Sequence, residues 1–384
     1  MNRKLVFNIL GRLLTALAGL LCLPAGVSVY YAEWRSVAAF ILTAALSVVL
    51  GVSMQLPTRR HSGVLYAREG FLIVALVWVV ASAIGALPFV VSGEIPSYID
   101  AMFETVSGFS TTGASILSDV ESMSHGLLFW RSFTHWIGGM GVLVFIIAFL
   151  SNISERSIHI LRAEMPGPVV GKLVPRSKDT SKVLYIIYIA MTLALIVLLM
   201  LGGMPGFDSV VHAFGTAGTG GFGIRADSIA GYSHYLQWVI SIFMLLFGVN
   251  FNVYYLLLIR RVRAAMESTE MWTFFGIVGI SAALITANIW PQYGSFWESL
   301  RQSVFQVSSI VTTTGYATAD FNLWPSFSKS ILLILMFIGA CAGSTGGGLK
   351  VSRLVILFKL IFQEIRRMLH PRAVTTVKFE GKQC

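Results

Sequence analysis

Residues 101–116, AMFETVSGFSTTGASI, constrain this chain most, because they are too short and too polar to cross a bilayer yet lie between two runs that can. Those runs, 71–91 and 127–150, each reach the ~20 apolar residues that a spanning helix needs. A polar re-entrant segment between spans has to line water or be buried in protein. The stretch therefore reads as a short pore helix followed by a filter strand through Ser110, Thr111, Thr112 and Gly113. Similar arrangements recur at Gly218, Thr219, Gly220 and Gly221, and at Thr312, Thr313, Thr314 and Gly315, at intervals of roughly 100 residues. Two polar registers precede each final glycine at fixed distances: Asp100, Asp208 and Gln302 in one, Glu104, His212 and Gln306 in the other. Backbone carbonyls replace the hydration shell of a monovalent cation only where extended strands converge with their oxygens inward. Glycine permits such a backbone, and the threonines add hydroxyl oxygens beside it. Thr-x-Gly alone carries little information, since it also occurs at Thr216-Ala217-Gly218 and Thr345-Gly346-Gly347. The signal is the repeated context of span, short amphipathic segment, strand and span.

Composition agrees. With 55% hydrophobic and only 12% charged residues, and a mean hydropathy of +0.76, the chain reads as an all-α polytopic membrane protein. Its apolar runs are continuous rather than alternating, which excludes an outer-membrane barrel. The formal charge of +10 reflects sidedness rather than a nucleic-acid partner. If loops alternate across the membrane, the basic residues fall on the cytoplasmic side. The exceptions are Arg35, Arg131, Arg225, Arg301 and Lys329, and Arg12 lies within the first helix. The three cysteines, Cys22, Cys341 and Cys384, have neither metal nor disulfide spacing.

In order, residues 1–60 read as an accessory transmembrane hairpin, its first helix retained rather than cleaved as a signal peptide. Pore module 1 covers 66–155, a cytoplasmic linker 156–180, module 2 181–264 and module 3 268–370; a cytoplasmic tail occupies 371–384. The outer loop of module 1 carries Glu94, Asp100, Glu104, Asp119 and Glu121 with no Lys or Arg, either a cation-concentrating mouth or an ordinary solvated loop. Trp130 and Trp136 suit an interfacial belt, and Gly138, Gly139 and Gly141 suit close helix packing. Asn250 and Asn252, toward the inner end of the second module, are either packing contacts or pore-lining groups. The last apolar run breaks at Gly343, Ser344, Thr345, Gly346, Gly347 and Gly348, just before Lys350. A phosphate loop would need Gly-Lys-Ser or Gly-Lys-Thr after a strand, so this break reads as a gate beneath the filter, with a packing hinge as the plain alternative. No triad spacing or metalloenzyme motif marks the chain as an enzyme.

FETVSGFSTTGAS, RSFTHWIGGMGVLVF, TGGFG, VSSIVTTTGYAT and AGSTGGGLK followed by HPRAV together resemble the Trk/Ktr/HKT superfamily of cation transporters, and within it the bacterial TrkH-type potassium uptake subunits. The resemblance covers essentially the whole chain. It implies helix, pore-loop, helix modules around one central pore in the bacterial inner membrane, with the N-terminus and basic loops cytoplasmic. It implies potassium as the transported ligand, held at Thr111, Thr112, Thr219, Gly220, Thr313 and Thr314, and no cofactor in this chain. It also implies a homodimer and a cytoplasmic nucleotide-binding regulatory subunit of the TrkA/KtrA kind. The family has four modules and three are recognisable here, so residues 1–384 alone are expected to insert in the membrane without closing a four-walled filter. The competing expectations are a truncated, non-conducting fragment or assembly component of such a system, and an unrelated secondary transporter with broken helices.

Overall fold

The computed structural model of the chain describes residues 3–58, 67–141, 177–370, 378–379 and 382–383. The basic loop at Arg59 and Arg60, the end of the first module's second span, nearly all of the linker expected at 156–180 and most of the 371–384 tail lie outside the described residues. The architecture is all-α and polytopic. Five described helices are long and apolar enough to cross a membrane, or up to six if one bent pair is counted as a span. The described strands are a two-residue antiparallel pair, Lys378–Phe379 with Lys382–Gln383, near the end of the chain. Backbone proximity divides the chain into two compact units, one ending at Ser228 and the other beginning at Ile229.

In the first unit, α1 (Arg3–Tyr30) and α2 (Trp34–Gln55) form the accessory hairpin. The carboxylate of Glu33, at its turn, accepts from the backbone amides of His125 (2.7 Å) and Gly126 (3.0 Å). It thereby satisfies the first orphan donors of α6 (His125–Gly139), whose own N-cap, Ser124, does not cap the helix with its side chain. Helices α3 (Ala67–Gly85) and α4 (Leu87–Ser92) make the first span of module 1, with Pro88 in the first turn of α4. The short helix α5 (Tyr98–Phe109) lies against α3 and α6. In module 2, α7 (Ser177–Leu201) spans and α8 (Gly206–Ala217) packs on α6 and α7. Trp130 and Trp136 do not form an interfacial belt: Trp130 is fully buried and donates to Gly85 O (2.9 Å), and Trp136 donates to Thr192 Oγ1 (3.2 Å). Their polar tips have found partners inside the bundle, so the aromatic signal belonged to the core.

The second unit opens with α9 (His234–Gly248) and α10 (Phe251–Leu258), which meet at 90°. After the short α11 (Val262–Met266) comes the spanning α12 (Thr269–Tyr293). The short helix α13 (Phe296–Val311) packs on α9, α12 and α14 (Ser326–Ile338). A non-helical loop then leads to α15 (Val351–Leu369). The break between α14 and α15 is the expected one. That between α9 and α10 is an addition to the sequence reading.

Candidate functional site

The three re-entrant segments share one local structure. Helix α5 ends at Ser110, α8 at Gly218 and α13 at Thr312, all still right-handed. The next residue is a left-handed threonine in each case: Thr111 (φ 55°), Thr219 (φ 53°) and Thr313 (φ 60°). Two residues on stands a left-handed glycine: Gly113 (φ 75°), Gly221 (φ 77°) and Gly315 (φ 88°). The hydrogen bonds repeat as well. The threonine amides donate to Gly108 O, Thr216 O and Ile310 O, and the following amides of Thr112, Gly220 and Thr314 reach back to Ser107 O, Gly215 O and Ser309 O. A left-handed β-branched residue costs roughly 1–3 kcal/mol and persists where its surroundings over-determine it. Successive carbonyls of a regular strand point to opposite sides; a left-handed residue at every second position lets them share one side. The hydroxyls of Thr219 and Thr313 donate to the carbonyls of Gly218 (2.7 Å) and Thr312 (2.6 Å).

Each short helix also has the same electrostatic polarity. Asp100, Asp208 and Glu298 lie in the three first turns, and no basic residue lies in any of the last turns. The acids offset the positive N-terminal end of the macrodipole, leaving the negative end unneutralised where the filter strand begins. In module 3 Glu298 takes this place because α13 is longer. Gln302 instead donates to Glu298 (3.1 Å) and accepts from Thr318 (2.5 Å) beyond the strand.

The second polar register is buried rather than solvated. Glu104 is 1% exposed. It accepts from Ser115 Oγ (3.0 Å) and Ile116 N (3.1 Å) after the first filter, and pairs with Arg131 of α6. Arg131, itself buried, also donates to Gly223 O (3.1 Å) and lies 3.5 Å from the ring centroid of Phe222, just past the second filter. One ion pair thus holds the outer ends of both filter strands of the first unit. This removes Glu104 from the free charge of the acidic loop. His212 binds Asp208 O (2.8 Å) through Nδ1, and Gln306 is buried on α13. His135 stacks on Phe222 at 4.0 Å behind the second strand. Two of the three predicted packing glycines do press close: a Cβ on Gly138 would stand 2.9 Å from Phe109 C, and one on Gly139 2.6 Å from Gly218 Cα.

In the second unit, the residues expected to form a gate make a loop bound on three sides. The α9–α10 break leaves carbonyls at the end of α9; Phe247 O accepts from Thr345 N and Oγ1, and Gly248 O from Cys341 N. In return Gly343 O accepts from Phe251 N in the first turn of α10. Asn250 caps α10 by accepting from Asn252 N (2.9 Å), which makes it a structural group at the break. Gly347 N donates to Thr313 Oγ1 (2.7 Å), so the loop touches the left-handed threonine of the third filter. Lys350 Nζ donates to Gly346 O and, at 3.5 Å, to Gly347 O. Gly339 (φ 72°) and Gly348 (φ 73°) cross at the loop base, where a Cβ on either would stand 2.7–2.8 Å from the other's Cα. Ser344 hydrogen-bonds Cys341 O (2.6 Å). Sequence reasoning gave no site role to Arg131 or His135 and missed the α9–α10 break. A charged residue early in an apolar helix was the signal available for Arg131.

Among known proteins, the family model described as "TrkH: Cation transport protein" matches residues 36–278 and 295–384. The "Trk system potassium uptake protein TrkH" of Salmonella typhimurium is 39% identical over all of this chain and 80% of its own length. That of Escherichia coli K12 is 37% identical with the same coverage. The crystal structure of the potassium transporter TrkH from Vibrio parahaemolyticus superimposes with a TM-score of 0.89 at 32% identity, covering 100% of this chain and 80% of that one.

Proposed function

Since the chain belongs to the TrkH family of cation transport proteins, we propose that it is the ion-conducting subunit of a potassium uptake system. The observation that carries this reading is the threefold recurrence of a left-handed threonine and a left-handed glycine at the unneutralised end of a short re-entrant helix. Dehydrated potassium is held by filter carbonyls, with Ser110, Thr111, Thr112 and Gly113, Gly218, Thr219, Gly220 and Gly221, and Thr312, Thr313, Thr314 and Gly315 forming the walls. The loop from Gly343 to Lys350 occludes the path, and the ammonium of Lys350 adds a barrier to cations. The protein resides in the bacterial inner membrane with its N-terminus and basic loops cytoplasmic. It works as a homodimer with a nucleotide-binding regulatory subunit, in keeping with relatives whose names place them in a Trk system.

The test is selectivity of uptake. Cells lacking other potassium uptake, supplied with the complete transport system, are assayed for rubidium and sodium influx. Gly113→Ser, Gly221→Ser and Gly315→Ser should each lower the rubidium-to-sodium ratio, because a side chain penalises the left-handed backbone. Parent-like ratios in all three variants would remove the filter assignment.

A further inference from the structure

The gate loop is anchored at both ends by one buried carboxylate from a different helix. Glu270, in the first turn of α12, is 2% exposed. Its Oε1 accepts from Ala342 N (2.7 Å), where the chain enters the loop, and from Ser352 N (3.0 Å), where it leaves into α15. Those amides bracket the gate residues on either side. Ser352 is the second residue of α15, so the carboxylate meets the positive end of that helix as well as that of its own. Charge-assisted bonds of this kind are roughly twice as strong as neutral ones. The bonds from the loop to the α9–α10 break and to Thr313 are neutral, and the charge-assisted bonds of Lys350 go to carbonyls of the loop itself rather than to another helix.

We propose that Glu270 is a positioning residue for gating: it pins Ala342 and Ser352 as fixed hinges, so that opening displaces only the residues between them. The inference rests on the gate reading of this loop. Neutral bonds to Phe247, Phe251 and Thr313 break when the loop swings, while the charged anchor and the adjoining bond from Cys341 N to Gly248 O stay closed. The loop can then return to one register. Without the anchor, entry and exit separate and the loop loses its closed position.

Cys341 supplies a native reporter, since its thiol is fully buried beside the first hinge. In a Cys22→Ser, Cys384→Ser background, the rate at which a small methanethiosulfonate modifies Cys341 reads release of the first hinge in membranes. Glu270→Ala should raise that rate by roughly tenfold or more, as expected when two hydrogen bonds to a charged acceptor are lost. Glu270→Gln, which keeps an oxygen in reach of both amides but loses the charge, should fall between the parent and Ala. Glu270→Asp withdraws the carboxylate by one methylene, should behave like Ala, and decides by the same criterion if the Ala variant does not accumulate. A second reporter, Ala282→Cys on buried α12 with Cys341→Ser, should show no acceleration. Parent-like labelling of Cys341 in the Ala and Asp variants overturns the proposal, as does equal acceleration at both reporters, which marks general loosening. Rubidium flux of the complete system is measured separately. Faster labelling with unchanged flux keeps the anchor and removes the gate, whereas unchanged labelling removes the anchor whatever the flux does.

Discussion

Glu104 and Arg131 show how a single pair can serve two strands. Replacing either by Gln leaves the other charge buried without its partner, which costs about 3–5 kcal/mol. Both Glu104→Gln and Arg131→Gln should therefore lower the melting temperature of the detergent-purified protein, and the double variant should lose less than the two single losses combined. Additive losses would mean that the two residues act independently. Position 104 was visible in the sequence because a polar residue recurs there in each repeat, but its partner was not. A repeat reports what all copies have in common, and in the same register His212 binds Asp208 O while Gln306 is buried on α13. The left-handed threonines were hidden for another reason. Sequence rules assign such backbone to glycine, and Thr111, Thr219 and Thr313 are held there by the amide bonds at the ends of their helices rather than by their own preference.

At the scale of elements, the short helices were legible because their length, their acidic first turns and the polar strands beyond them all contradict a full span. The break at Gly343 was legible through its glycines. The one between α9 and α10 was not, since FGVNFNVYY is apolar on both sides of Asn250 and has no proline. That bend is fixed by bonds from a loop distant in sequence, which no local rule contains. Two interventions follow from the proposed gate. Shortening the segment between Gly343 and Gly348 should raise rubidium flux through the complete system. Thr313→Val removes the acceptor for Gly347 N while keeping the branched shape, and should raise resting flux by a smaller factor. Of the two bonds that hydroxyl makes, the one to Gly347 N holds the loop and its loss is worth about 0.5–1.5 kcal/mol, so roughly a two- to tenfold change is expected; the other, to Thr312 O, lies within the strand, and the rubidium-to-sodium ratio reports its loss separately. Flux at the parent level in both variants would make the loop a packing hinge.

For the molecule as a whole, the proposed orientation places Arg261 inside and Ser118 outside, and both are exposed. A membrane-impermeant thiol reagent applied to intact cells should label Ser118→Cys and spare Arg261→Cys, with the reverse in inside-out vesicles. Labelling of both from one side would refute the topology. The mutual capping of the α9–α10 break and the gate loop has a thermodynamic consequence. In the proposed closed state Phe247 O and Phe251 N are partnered by Thr345 and Gly343 of the loop. Once it swings away, those groups stay deep in the bundle, where going unbonded is unfavourable, and water has to enter to take them up. Opening is then an uptake of water as well as a movement of chain, and its equilibrium depends on water activity. Large polymers excluded from the pore should close the gate as their osmotic pressure rises, in proportion to the number of waters admitted. Small penetrating solutes at equal osmolality should leave it unchanged.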